Sequence, residues 1–160
     1  MCCYSSKLGV KELRKMMKEN GGTMTFWKVI RSFIKLDYST EYTSIHNSHF
    51  WREGVHSCPE ALSQKDSGYY PELEINEGFH VYLDKNRAMQ VRAREYCGSA
   101  VVLLEVTCNV KDLIGAEEYT PDNLYHYTAV FSKVTVTKDQ WKKFQRRHRD
   151  ARRRDTTCSG

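Results

Sequence analysis

The chain has 160 residues, 40% of them hydrophobic and 28% charged, with a formal net charge of +5. That is enough to bury a core without disulfides or metal, and it reads as one domain over 1–150 with a disordered basic and polar tail over 151–160. No apolar run approaches the roughly 20 residues that span a bilayer, and Met1-Cys2-Cys3-Tyr4 followed by charge is not a secretory signal, so a cytoplasmic protein with no membrane contact is expected.

Ser5 and Ser6 can cap a first helix over 7–20, where Val10, Leu13 and Met17 recur at helical spacing and Gly21-Gly22 supplies the stop. Thr23 opens a strand over 23–31, with 32–36 either continuing as its hairpin partner or bending away. From 38 to 76 the pattern dissolves into polar and aromatic residues, apart from a helical turn after Pro59 and a short strand over 72–75. So long an irregular region inside one domain marks it as the place to look for function.

The stretch from Gly78 to Ala116 is the best-punctuated part of the chain. Phe79 to Leu83 alternate as a half-buried strand, Asp84 can cap a helix over 85–96, and 100–108 reads as the most buried strand. Residues 111–115 read as a turn and 124–136 as one long strand. Thr137 and Gln140 have capping-box spacing, so a helix starts at Lys138 with Trp141, Phe144 and His148 on its inner face. The whole is α+β, a mixed or antiparallel sheet with flanking helices.

Charge is concentrated at the end of the chain. From Lys138 to Arg154 nine Lys or Arg stand against Asp139 and Asp150, a local excess of seven that leaves the rest near −2. Such density, with Arg146, Arg147 and Arg149 in one helix, attracts phosphates by counterion release and makes nucleic acid a candidate partner.

His46, His49, His56 and Cys58 place four nitrogen or sulfur donors within 13 residues. Their spacing matches no common zinc pattern, so they are read as surface and half-buried side chains and no zinc is expected. The six cysteines are scattered without a repeat and are expected to be reduced; Cys2 would be an N-terminal nucleophile only with an oxyanion motif that the sequence does not spell. Glu117 and Glu118 read as exposed charge.

Gly78-Phe79-His80-Val81-Tyr82-Leu83, the helix from Asp84 to Tyr96, Leu103-Leu104-Glu105-Val106 and the late strand resemble the second half of an ADP-ribosyltransferase domain. The resemblance implies NAD as cofactor, with Arg31 holding it and His80 and Tyr82 near the nicotinamide. The family's later-strand glutamate has no counterpart in Tyr125-His126-Tyr127-Thr128-Ala129. Gly78-Phe79-His80 and Ala129-Val130-Phe131 are also similar to small proteins of phages and mobile elements.

The sequence therefore predicts a non-enzymatic binding protein with no cofactor, a phage-type inhibitor of a host defence system such as CRISPR, built on a transferase-like sheet. Its partner would be a host protein or nucleoprotein complex, contacted through Tyr42, His46, His49, Trp51, Arg52, Tyr69 and Tyr70 together with Arg146, Arg147 and Arg149. The alternatives are an NAD-dependent mono-ADP-ribosyltransferase and an RNA-binding module using the basic helix.

Overall fold

A computed structural model describes residues 3–45, 49–59, 72–75, 77–95, 101–119 and 127–157. Its ten strands are β1 Cys3–Ser6, β2 Thr23–Ile34, β3 Thr40–Ser44, β4 Gly54–Ser57, β5 Glu72–Ile75, β6 Phe79–Tyr82, β7 Val101–Asn109, β8 Leu113–Ala116, β9 Thr128–Phe131 and β10 Lys133–Val136. Three α-helices, α1 Lys7–Glu19, α2 Lys85–Glu95 and α3 Lys138–Thr157, flank them. The fold is α+β with an open antiparallel sheet of eight strands.

Local signals act where the sequence places them. The Ser6 side chain accepts from Gly9 N–H at 2.9 Å and starts α1. Asp84 accepts from Arg87 N–H at 2.9 Å and starts α2. Thr137 and Gln140 exchange bonds of 2.9 and 3.2 Å at the start of α3, the reciprocal capping box. The backbone of α3 then continues through Thr157, past the point where the sequence suggests a disordered tail. No Gly or Pro interrupts this Arg- and Ala-containing run, so propensity carries the helix on after its apolar face has ended.

The main sheet runs β4-β10-β7-β2-β6-β9-β8, with β3 also paired to β2. β2 is the longest strand. It pairs with β7 from Thr23 to Arg31 and continues past Arg31 to pair with β3, Ser32 opposite Tyr42, as a hairpin. Two strands, β3 and β4, thus lie within the region that reads as irregular, because short half-polar strands carry too little alternation to be seen alone.

Residues 111–115 do not simply turn: a 3-10 turn at Val110–Asp112 leads directly into β8. Nor is 124–136 one strand. Among its described residues, β9 pairs with β6 and β8, whereas β10 pairs with β7 and β4. The chain changes neighbours at Ser132, whose N–H leaves the ladder and donates to the Asp112 carbonyl at 2.9 Å.

The sheet curls. His56 on the terminal strand β4 lies 6.4 Å from the Phe79 ring on β6, although three strands separate them in the sheet order. Inside the curl Phe26, Ile30, Leu104, Val106, Phe131, Val134 and Val136 form the main core with Leu13 and Met17 of α1 and Phe144 of α3. On the other face of β2, Val29 packs with Tyr82 and Val101 against Ala88 and Val91 of α2. Gly9 lets α1 approach β8, since a Cβ there would stand 2.6 Å from the Ala116 carbonyl oxygen.

A small sheet of β1 and β5, Cys3 opposite Ile75, closes a third cluster on Val130. It is tied down by Glu117, which is buried and not the exposed charge its sequence context suggests. One carboxylate oxygen accepts from Tyr4 N–H at 3.3 Å and the other from Thr128 N–H at 3.0 Å. Burial, aided by Glu117, pushes the Cys3 thiol up to about 12, so it stays protonated and packs as a small hydrophobe.

Candidate functional site

The edge of β2 opposite β7 is shared. β3 takes the half from Ile30 to Ile34, while β6 holds only the pair Trp27 and Tyr82 before diverging. Lys28 fills the resulting fork. Its ammonium is buried, donates to the His80 carbonyl at 2.8 Å, and sits 5.9 Å from the Trp51 ring centre. Burial lowers the Lys28 pKa to about 8. In the sequence Lys28 stands between Phe26 and Ile30 at period-two spacing, the one signal that its stem points into the core.

Beyond the fork, the chain after β3 folds back along it. Ser44 N–H donates to the His49 carbonyl at 2.9 Å, Trp51 N–H to the Tyr42 carbonyl at 2.8 Å, and Thr43 bridges Phe50. The Trp51 indole N–H donates to Ser44 Oγ at 2.8 Å. His49, Trp51, His56 and Phe79 make an aromatic cluster with centroid separations of 4.8 to 6.4 Å. His49 Nε2 lies 2.8 Å from His56 Nδ1, and His56 Nε2 lies 2.9 Å from the Arg52 carbonyl.

That chain of contacts fixes tautomers. The carbonyl only accepts, so His56 carries its proton on Nε2, and its Nδ1 accepts from His49 Nε2–H. Burial, then His56, then Lys28 lower the His49 pKa. With these ring nitrogens turned on one another, the pair does not present them jointly to a metal ion. Among the described residues no three His, Cys, Asp or Glu side chains converge as a metal site. Cys58 packs against the main core and its N–H donates to the Ser132 carbonyl at 2.8 Å; His46 lies outside the described residues.

The cluster forms one wall of a groove of ≈ 1220 Å³ between β3, the returning segment, β4 and the start of α3. Tyr42, His49, Trp51, Arg52, His56 and Trp141 all line it. Tyr42 and Trp51 expose little of their rings, whereas Arg52 is exposed. Tyr42 takes Trp141, Phe144 and His148 edge-on at 5.5, 4.8 and 5.6 Å, which pins α3 in place.

Pinning the aromatic side of α3 turns its cations outward. Lys142, Lys143, Arg146, Arg147 and Arg149 are exposed. Lys143 and Arg147 share the Glu105 carboxylate of β7 at 3.0 and 3.5 Å, and Gln140 Nε2 donates to Thr107 Oγ1 at 2.9 Å. Glu105 therefore orients the helix and neutralises part of one flank, while Arg146 and Arg149, at i and i+3, share another.

Arg31, His80 and Tyr82 do not meet in one cavity. Tyr82 is buried beneath α2, and Arg31 is exposed four residues along β2 from Tyr82's partner Trp27, roughly 13 Å at strand rise. His80 is buried with Nε2–H donating to the Ile75 carbonyl at 2.8 Å. Burial and, next, Lys28 lower its pKa to about 4. Tyr69 and Tyr70 lie outside the described residues. No helix among the described residues is long and apolar enough to cross a membrane.

No family model matches the chain, and neither the curated proteins nor the solved structures contain a match to it.

Proposed function

We propose that this chain is a non-enzymatic binding protein that attaches to a nucleoprotein surface through the outward face of α3. The observation that carries this reading is the pinned basic helix: Tyr42 holds its aromatic side, and Lys142, Arg146 and Arg149 project from an ordered support. A cationic face held in advance loses little freedom when it meets phosphates, and each phosphate neutralised releases counterions. Such a face suits an inhibitor of a host defence ribonucleoprotein such as a CRISPR effector, where RNA phosphate and protein lie side by side.

The test is a cleavage assay in which a purified CRISPR ribonucleoprotein is titrated with the protein, in parallel with binding to a short RNA across a salt series. Stoichiometric loss of cleavage is expected, as is RNA binding whose slope against log salt becomes shallower by about one for each phosphate contact removed in Arg146→Glu and Arg149→Glu. Full cleavage at a large excess of protein refutes the inhibitor role. Unchanged binding in both charge-reversal variants refutes the use of α3.

A further inference from the structure

Among the described residues, the largest concentration of exposed apolar side chains lies on the β2–β3 hairpin. Phe33 is 39% exposed, Ile34 60%, Leu36 102% and Tyr38 89%, all within six residues at its tip. The tip is ordered by its own bonds. Lys35 N–H donates to the Ser39 carbonyl at 2.8 Å, and Tyr38 N–H to the Lys35 carbonyl at 3.0 Å. The Asp37 carboxylate accepts from the N–H and hydroxyl of Ser39 at 2.9 and 2.6 Å, and Lys35 pairs with Glu41. Tyr38 is the only non-glycine described residue with positive φ, at 63°, a conformation that holds its ring out on the turn.

The groove starts where this tip ends. Thr40, Glu41 and Tyr42 of the same hairpin form its near wall, and exposed Phe50, Arg52 and Val55 form its far side. A projecting apolar element and a concave one therefore lie side by side on one hairpin. That is the arrangement a two-fold axis makes self-complementary, because each copy then offers its tip and receives its partner's.

We infer that the occupant of the groove is the hairpin tip of a second copy, giving a reciprocal dimer. One ion pair is available across the seam: the tip carries the Asp37 carboxylate, held below the usual carboxylate range by the Ser39 hydrogen bonds, and the groove wall carries the Arg52 guanidinium, with Glu53 beside it and Glu41 already paired to Lys35. At these exposures the four tip side chains offer on the order of 500 Å², a large aromatic side chain alone carrying about 150–250 Å². Two tips and the smaller walls that receive them bury at most roughly 1,400 Å² over both copies, within the range for a specific interface. Resting on the proposed function, the dimer also couples two α3 helices, so a polyanion is held by both and dissociates more slowly than from one.

Sedimentation equilibrium of the full chain without nucleic acid tests this. The wild type is expected to reach twice the chain mass, and Leu36→Asp and Val55→Glu are each expected to raise the dimer dissociation constant at least tenfold. Both positions are exposed, so neither change disturbs the core. Arg52→Glu should weaken the dimer less, and more so at low salt. A wild type that stays monomeric throughout overturns the inference. So does a dimer broken by Leu36→Asp but indifferent to Val55→Glu and Arg52→Glu, since the tips would then pack only on one another. RNA binding by monomeric Leu36→Asp separates the two proposals, because its survival keeps the role of α3 whatever the dimer does.

Discussion

Replacing Lys28 by Met removes the buried ammonium while keeping a side chain of similar length. In the folded chain the Lys28 pKa is about 8, against an ordinary value of 10.5. Between those two values the unfolded chain holds a proton that the folded chain has released, so stability rises with pH across that window. Below about pH 8 both states are charged and the full cost of burying the ammonium, roughly 3 kcal/mol, is present. From pH 7 to pH 9 the wild type should gain roughly 1 kcal/mol relative to Lys28→Met. The thiols act in the opposite sense above pH 9, because folded Cys3 keeps its proton up to about 12. The difference between wild type and variant, taken only up to pH 9, therefore isolates the lysine. Urea denaturation at pH 7, 8 and 9 measures it through the midpoints at constant slope. Parallel pH profiles for the two proteins would show that Lys28 is already solvated and that β2 and β6 do not close around it.

His80 has the complementary acid response. Its folded pKa of about 4 lies below the ordinary 6.5, so the unfolded chain binds the extra proton first and stability falls as pH drops from about 6.5 towards 4. His80→Gln should flatten that fall by roughly 3 kcal/mol, and an unchanged acid midpoint in thermal melts would refute the burial of His80. Glu117→Ala leaves the Tyr4 and Thr128 N–H groups without their acceptor and should cost about 2–3 kcal/mol in urea denaturation; a loss within experimental error would mean that β1 is not tied to β9 through this carboxylate. Tyr42→Ala removes the ring that holds Trp141, Phe144 and His148, with an expected loss of about 3 kcal/mol and faster amide exchange in α3; unchanged exchange would show that the helix is held by Glu105 and Thr107 instead.

Signals that act over a few residues were legible. Ser6, Asp84 and the Thr137–Gln140 pair start their helices because a cap bonds to backbone two or three residues away and needs nothing distant. Strands of period two with β-branched and aromatic residues, β2, β6 and β7 above all, could be read for the same reason. β3 and β4 could not. Each has only four or five residues, half polar, and each becomes a strand by pairing with a partner far along the chain or across a hairpin. The histidines show the same division. Their density in 46–56 was visible, but that His49 and His56 bond to one another, with Arg52 setting the tautomers, depends on the curl of the sheet that brings β4 back to the end of β3.

Composition and spacing by themselves determined an α+β chain with a basic last helix whose Trp141 and Phe144 face inward, because charge density and helical periodicity are properties of contiguous residues. Tertiary structure decided that the charged ends of Lys28 and Glu117 are buried, since each is acceptable inside only where backbone groups from other strands meet it: the His80 carbonyl for one, the Tyr4 and Thr128 N–H groups for the other. It likewise decided that Leu36 and Tyr38 stand in solvent. Their apolar side chains would ordinarily be assigned to a core, but among the described residues the tip of the β2–β3 hairpin extends past the strands paired with β2.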